Sequence, residues 1–86
     1  MKDVHSRPDA EIRVVDATEV CVNPKKLRKL SAAKIRQYMH DYDRGCDFPP
    51  IMVEECGGFY TVCDGRHRFQ AQLSCGYRYI EVSIYN

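Results

Sequence analysis

The sequence predicts an α+β domain in which two main helices pack against a small mixed sheet. Short runs of β-branched and aromatic residues alternate along the chain with stretches of helical periodicity. A length of 86 residues allows one compact domain. A composition of 44% hydrophobic and 29% charged residues is typical of an ordinary globular protein. The expected order is strand, short strand, helix, strand, strand, helix, strand.

The N-terminal part of the chain predicts a tail followed by two short strands. Residues 1–10 are polar and without pattern, so we expect a flexible tail ahead of a domain that covers residues 11–86. The runs 12–15 and 20–22 are rich in valine and isoleucine, which is typical of strands. Pro24 ends the second run, because proline cannot donate to a strand ladder.

The first main helix is predicted over residues 32–43. Ser31 is a suitable N-cap, and Gly45 is a suitable stop after the last turn. One helical face carries apolar side chains at spacings of three and four residues: Ile35, Tyr38, Met39 and Tyr42.

The second half of the chain predicts a hairpin, a helix and a closing strand. Two prolines lead into a strand over residues 51–55, and Gly57-Gly58 suits a tight turn to a strand over residues 59–63. A helix is expected over residues 66–74, and alternating residues predict a half-buried last strand over residues 80–84. Within that helix we expect two apolar anchors, Phe69 and Leu73.

The junction between the second hairpin strand and this helix has an unusual charge pattern. The sequence runs Asp64-Gly65 and then Arg66, His67 and Arg68. Asp64 suits an N-cap, but cations in a first helical turn oppose the helix dipole, at about 0.3–1 kcal/mol each. An anion held by the backbone N–H groups and the guanidinium groups would reverse that cost. The pattern therefore predicts a phosphate over Gly65–Arg68.

A second cationic stretch lies earlier in the chain. The residues from Pro24 to Arg36 include six lysines and arginines and no acid, although the net charge of the whole protein is only +1. Such a run is either a solvated face or part of the same phosphate site, and together with the junction it favours phosphate recognition.

Three side chains near the junction are candidates for catalysis. His67 could donate to a phosphate oxygen or, when neutral, act as a base. Asp64 could orient a cation or position a metal-bound phosphate, or it could only cap the helix. Glu54 is a further candidate acid, although an exposed hairpin residue would look the same.

The remaining composition predicts a cytoplasmic protein without a structural metal. The five cysteines are an odd number with no CxxC pair, and no signal peptide is evident, which favours reduced thiols. The three histidines have no zinc-ligand spacing. No apolar run approaches the roughly 20 residues of a membrane span, so we expect no membrane role.

Three segments together resemble the ParB/sulfiredoxin superfamily. They are FPPIMV, YTVCDGRHRFQA and GYRYIEVSI, and the resemblance extends from about Ile12 to the C-terminus. The Asp-Gly-x-x-Arg pattern is similar to the N-terminal domain of ParB partition proteins, and DGRHR is close to the motif of the ParB-like kinase that phosphorylates free serine. The resemblance implies a ParB/sulfiredoxin-like domain with a nucleotide site.

Carried over to this chain, the resemblance implies that Gly65, Arg66, His67 and Arg68 hold nucleotide phosphates, with Lys29 or a neighbouring lysine as an additional contact. The ligand would be ATP, ADP or CTP, with Mg²⁺ as an optional companion. Arg66 stands where sulfiredoxin has its reactive cysteine, so sulfinic acid reduction is not expected.

Three functions follow from these observations. The first is a nucleotide-binding domain, which could act as a nucleotide-dependent phosphotransferase. The second is a nucleic-acid-binding or ParB-like nuclease module. The third is a non-catalytic regulatory or interaction module with a protein partner or a second copy of the chain. Whether the protein is an enzyme stays open in the sequence.

Overall fold

Five strands form one mixed sheet in the computed structural model, which describes residues 11–84. The predicted tail over residues 1–10 lies outside the described residues. The strands are β1 (Glu11–Asp16), β2 (Val20–Cys21), β3 (Ile51–Cys56), β4 (Phe59–Asp64) and β5 (Tyr79–Ile84). The helices are α1 (Pro24–Leu27), α2 (Ala32–Asp43) and α3 (Arg66–Ser74), and a short 3-10 turn lies at Ala17–Glu19. None of these helices is long and apolar enough to cross a membrane.

The strand order across the sheet is β1-β5-β3-β4-β2. The pairs β1–β5 and β3–β4 are antiparallel, whereas β3–β5 and β2–β4 are parallel. The hairpin β3–β4 therefore lies inside the sheet, and the end of β4 is at the same end of the sheet as the start of β3. The predicted α+β class with a mixed sheet is confirmed.

One face of the sheet carries the hydrophobic core, and α2 and α3 pack against each other. Val53, Val82, Ile51, Ile80 and Phe69 are the largest fully buried side chains. Burial of this apolar surface is the main stabilising contribution that a chain of this size can make.

The local signals for α2 and for the hairpin are confirmed. Ser31 caps α2, since its Oγ accepts from the Lys34 N–H at 3.3 Å. Gly45 follows the helix with a φ of 79°. Gly57 and Gly58 have φ values of 58° and 85°, the positive values that a tight hairpin turn requires.

Helix α1 was not predicted. The proline that ends the second strand also begins this helix, because a missing N–H and a fixed φ suit the first helical turn. Asn23 caps it, with its Oδ1 accepting from the Lys25 N–H at 2.9 Å.

The predicted inner face of α3 was partly wrong. Leu73, expected as an anchor, is 40% exposed, whereas Arg68, Phe69 and Ala71 are buried. The Arg68 guanidinium lies inside the protein and donates to the Pro49 carbonyl. The buried face of α3 therefore includes Arg68 and does not include Leu73. In β5, Ser83 is also buried, where strict alternation predicted an exposed side chain.

Candidate functional site

A cleft of about 580 Å³ lies at the junction between the end of β4 and the start of α3. Its lining residues come from the end of β4, the start of α3, α1 with the turn that follows it, and α2. The lining residues are Lys26, Lys29, Leu30, Tyr38, Asp64, Gly65, Arg66, His67 and Arg68. Four of these residues are cationic and one is a carboxylate, so the cleft has an excess of positive charge.

Gly65 makes the turn from β4 into α3. Its φ is 95° and it is the N-cap residue of the helix, so the interpretation of Asp64 as the N-cap was wrong. Asp64 is instead the last residue of β4. Gly65 has no side chain to cap the helix, and the N–H groups of the first turn are therefore available to a ligand.

The space at Gly65 also excludes a side chain. A Cβ added there would lie 2.8 Å from an Arg68 guanidinium nitrogen and 3.1 Å from the Ile51 Cδ1. The backbone turn and the arginine below it fit together only because residue 65 is glycine.

Arg68 is buried below this turn, with 9% of its surface exposed. Its Nη1 donates to the Pro49 carbonyl oxygen at 2.7 Å. The carbonyl is in the segment that leads into β3, so the bond ties α3 to the sheet. Arg68 lines the cleft from the inside, and its position is that of a structural arginine which adds positive charge beneath the first turn of α3.

Arg66 is half-buried at the edge of the cleft. Its Nη1 donates to the Cys63 carbonyl oxygen at 3.0 Å, which fixes the guanidinium beside the end of β4. A guanidinium has five N–H donors, so most of them stay available for an anion.

His67 joins the two helices that form the cleft. Its Nε2 accepts from the Ser31 backbone N–H at 3.0 Å, across the start of α2. Desolvation, followed by the positive charges of Lys34 and Arg66, lowers the pKa of His67. The neutral ring carries its proton on Nδ1, because Nε2 acts as an acceptor. A base that used Nε2 would have to give up this bond, whereas an Nδ1–H can donate to a phosphate oxygen without doing so.

Helix α1 supplies Lys26 to the cleft, and the turn that follows it supplies Lys29. Backbone bonds from Lys29 N–H to the Lys26 carbonyl at 3.1 Å and from Leu30 N–H to the Leu27 carbonyl at 3.2 Å continue the turn of α1. The predicted contact Lys29 therefore lies in the same cleft as the α3 motif. Lys26 is a neighbouring lysine of the kind that the resemblance allowed as the additional contact. Sequence reasoning missed Leu30 and Tyr38 as site residues, although the basic stretch contained the first and the apolar face of α2 contained the second.

Glu54 is placed elsewhere. It lies on β3 opposite Thr61, is exposed, and is not among the residues that line the cleft. Asp64 is the one carboxylate among the lining residues.

The thiol nearest to the cleft is not activated. Burial, with a smaller contribution from Glu54, raises the pKa of Cys63, and its Sγ lies 3.8 Å from the Thr61 carbonyl oxygen. A reactive cysteine needs a lowered pKa, so Cys63 does not replace the cysteine that the sulfiredoxin motif would have at Arg66. In residues 11–84 no three histidine, cysteine or acidic side chains are grouped as a metal site.

Comparison with known proteins identifies the fold. No protein-family model and no curated protein sequence matches the chain. Among solved structures, sulfiredoxin from Arabidopsis thaliana is similar at 22% identity and a TM-score of 0.75, covering 88% of this chain and 85% of that one.

Two further similar structures contain nucleotides. The partition protein ParB from Caulobacter crescentus, complexed with CTP-gamma-S, has 16% identity and a TM-score of 0.74 over 88% of this chain and 44% of that one. The same ParB also matches in a complex with the centromeric parS site, at 17% identity and a TM-score of 0.68 over 86% of this chain and 38% of that one. A free serine kinase in complex with AMP has 12% identity and a TM-score of 0.70 over 87% of this chain and 31% of that one.

This chain thus spans less than half the length of the ParB and kinase chains. The element order, the mixed sheet and these likenesses agree on one conclusion: the protein has the ParB/sulfiredoxin-like fold.

Proposed function

We propose that the protein binds a nucleotide in the cleft at the start of α3. One observation carries the proposal: a single cleft combines the open N–H groups of a helix N-terminus with lysine and arginine side chains and with an apolar wall. Backbone N–H groups and cations suit phosphates, and an apolar wall suits a nucleobase.

At the phosphate end, the first turn of α3 provides backbone donors that point out of the helix. Arg66, Lys26 and Lys29 add positive charge around them, and the Nδ1–H of His67 is a neutral donor. Arg68 contributes only positive charge from below, since its guanidinium lies beneath Gly65 and is already bonded to Pro49.

At the base end, the cleft is lined by Leu30 and Tyr38. The ring of Tyr38 is held edge-on by Phe48, with the centroids 5.4 Å apart and an interplanar angle of 78°. A fixed aromatic ring of this kind stacks on a base with little loss of side-chain entropy. The protein should therefore prefer a nucleotide to inorganic triphosphate.

The ligands of similar proteins support this proposal. CTP-gamma-S is bound in the ParB structure and AMP in the free serine kinase structure. ATP, ADP and CTP are accordingly the first ligands to test. Asp64 is the carboxylate that would hold Mg²⁺ together with the nucleotide phosphates, because Mg²⁺ commonly binds one or two carboxylates and several phosphate oxygens.

Amide NMR titration with ATP, ADP, CTP and inorganic triphosphate, with and without Mg²⁺, tests nucleotide binding. We expect saturable shifts at residues 64–69 and weaker binding of triphosphate. Lys29→Ala should weaken nucleotide binding by about tenfold, and Lys25→Ala, which removes a lysine of the same stretch outside the cleft, should not. Unmoved amides at residues 64–69 in millimolar nucleotide would refute the proposal.

Phosphoryl transfer is the reaction that this site would support. The terminal phosphoryl group of ATP would pass to an acceptor hydroxyl, ADP would leave, and the carboxylate of Asp64 would take the hydroxyl proton. Glu54 has no part in this step, because it does not line the cleft. Asp64→Asn should abolish transfer in an assay with ³²P-labelled ATP and weaken binding of the Mg²⁺-nucleotide, while binding of the nucleotide without Mg²⁺ should stay nearly unchanged.

Nucleic-acid binding is the second candidate, favoured by the exposed lysines and arginine that extend from the cleft along α1. The complex of the similar ParB with parS supports testing it. Phosphate-backbone binding falls steeply with salt and increases with oligonucleotide length. Equal affinity for a mononucleotide and a 20-mer would favour nucleotide binding over nucleic-acid binding. If neither ligand bound, the non-catalytic interaction module would be the remaining candidate function.

A further inference from the structure

The outer edge of β1, which we call the β1 edge, is the longest open strand edge in the part of the chain that the structure describes. Within residues 11–84, β1 pairs only with β5 on its inner side. The opposite edge of the sheet is β2, which is two residues long. Long edge strands with free backbone groups are templates for pairing with another strand, and short ones are not.

The register of β1 with β5 shows which backbone groups face outward. The bond from the Ala17 N–H to the Arg78 carbonyl oxygen, 2.8 Å long, continues the antiparallel ladder in which Asp16 lies opposite Tyr79. In an antiparallel ladder the hydrogen-bonded pairs alternate. The odd-numbered residues of β1 therefore bond to β5, and the N–H and C=O groups of Ile12, Val14 and Asp16 point to the β1 edge.

Two side chains of β1, Ile12 and Val14, are apolar and exposed, and Asp16 follows them on the same face. Val14 is 67% exposed and Ile12 is 46% exposed, and strand alternation places both on the same face of the sheet. The one cation of β1, Arg13, is on the other face, where its Nη1 donates to Glu55 and to the Tyr60 hydroxyl at 3.0 Å each. The guanidinium of Arg13 is therefore bonded within the same molecule and does not repel a second strand at the β1 edge.

We propose that two copies of this chain associate by antiparallel pairing of their β1 edges, centred on Val14. Because outward groups come from even-numbered residues, only registers that pair even with even residues form hydrogen bonds. Two of these registers keep most of the strand paired. In one of them Arg13 lies opposite Arg13 of the second copy, and in the other Val14 lies opposite Val14 of the second copy. Centring on Arg13 places two guanidinium groups opposite each other, which is unfavourable.

Centring on Val14 has no such conflict. Val14 lies opposite its own copy, and Ile12 lies opposite Asp16 of the second copy, so that about six new backbone hydrogen bonds form. The two Val14 side chains then lie side by side on a continuous sheet of ten strands, and the Ile12 side chain of each copy is diagonal to the Val14 of the other. The same strand serves both copies, as a two-fold interface requires.

The interface is small. Strand pairing over five residues buries well below the roughly 800 Å² per partner of a standard interface, so we expect a weak dimer that forms in the micromolar to millimolar range. Nucleotide binding is not part of this inference, and the cleft residues are not in the β1 edge.

Sedimentation equilibrium from about 10 μM to 1 mM, a range chosen for a weak interface, tests the dimer. We expect the mass to rise with concentration for the native protein. Val14→Lys should remain monomeric, and Phe59→Lys, at a position on β4 that is 55% exposed against 67% for Val14, should dimerise normally. Val14→Pro removes an outward N–H without breaking a bond to β5, so it should also be monomeric while its circular dichroism is unchanged.

Cross-linking tests the register. Under mild oxidation Val14→Cys should form a disulfide to its own copy, because residues in a hydrogen-bonded pair have Cα atoms about 5.5 Å apart. Ile12→Cys should not form one with its copy. The native protein controls for its own exposed thiols, Cys21, Cys46 and Cys56.

A protein that stays monomeric at the highest concentration overturns the proposal, including the case in which residues 1–10 cover the edge themselves. A dimer that persists in both Val14→Lys and Val14→Pro would place the interface elsewhere. Cross-linking of Ile12→Cys and not of Val14→Cys would refute the proposed register.

Discussion

Substituting Gly65 by alanine tests the contact on which the candidate site is built. Gly65 has a φ of 95°, and a Cβ at this position would lie 2.8 Å from an Arg68 nitrogen. The arginine cannot move aside without cost, because it is buried and bonded to Pro49 at 2.7 Å. The second neighbour, Ile51 at 3.1 Å, is fully buried in the core.

Two effects set the magnitude. A left-handed conformation costs a residue with a Cβ roughly 1–2 kcal/mol. Displacing Arg68 weakens a hydrogen bond from a charged donor, a kind of bond that contributes about 1.5–3 kcal/mol. We therefore expect Gly65→Ala to lower the free energy of unfolding by about 3–4 kcal/mol, a large share of the roughly 5–15 kcal/mol of a typical domain.

Urea unfolding followed by far-ultraviolet circular dichroism measures this loss. Gly76→Ala is the matched control: Gly76 has a φ of 85°, but nothing lies within 4 Å of an added Cβ, so only the backbone strain of about 1–2 kcal/mol applies. Equal losses of stability in the two variants would show that Arg68 does not approach the turn closely in solution. The double variant Gly65→Ala/Arg68→Ala should lose less than the sum of the single losses, since the clash with Arg68 is gone.

Three further predictions follow from single contacts. The lowered pKa of His67 means that the native state favours the neutral ring; its contribution to stability is present above a pH of about 6.5 and is lost as the pH falls through the native pKa. Urea unfolding of the native protein and of His67→Gln at several pH values checks this, and an unchanged pH dependence in His67→Gln would contradict it. Ser31→Ala removes the cap of α2 and should cost about 1 kcal/mol in the same assay; no loss would show that the 3.3 Å bond is not made in solution. Burial raises the pKa of Tyr42 to about 12, so an ultraviolet titration should show Tyr42 still protonated at pH 11, and Tyr42→Phe should remove that late step.

The sequence predicted most of the features that depend on neighbouring residues. Ser31 and Gly45 delimit α2, and Gly57-Gly58 forms the turn of the central hairpin, because caps and tight turns are decided by a few adjacent residues. The placement of Gly65 at the junction follows from the same local rules.

The features it did not predict depend on residues far apart in the chain. The bond of His67 to Ser31 joins positions 36 residues apart, and the burial of Arg68 depends on the Pro49 carbonyl. A pattern of charges could indicate a cationic helix start, but it could not show that Arg68 is used inside the protein. The strand order likewise depends on packing between distant segments.

The pairing of β1 with β5 has a consequence for how the chain folds. The first and the last described strands are direct neighbours, while the hairpin β3–β4 pairs within a short stretch. Closing a long loop costs more entropy than closing a short one. The hairpin can therefore assemble early, whereas β1 can pair only after β5, the last of the described strands, has been synthesised. A ribosome-bound chain without residues 79–84 has no β5 with which β1 can pair.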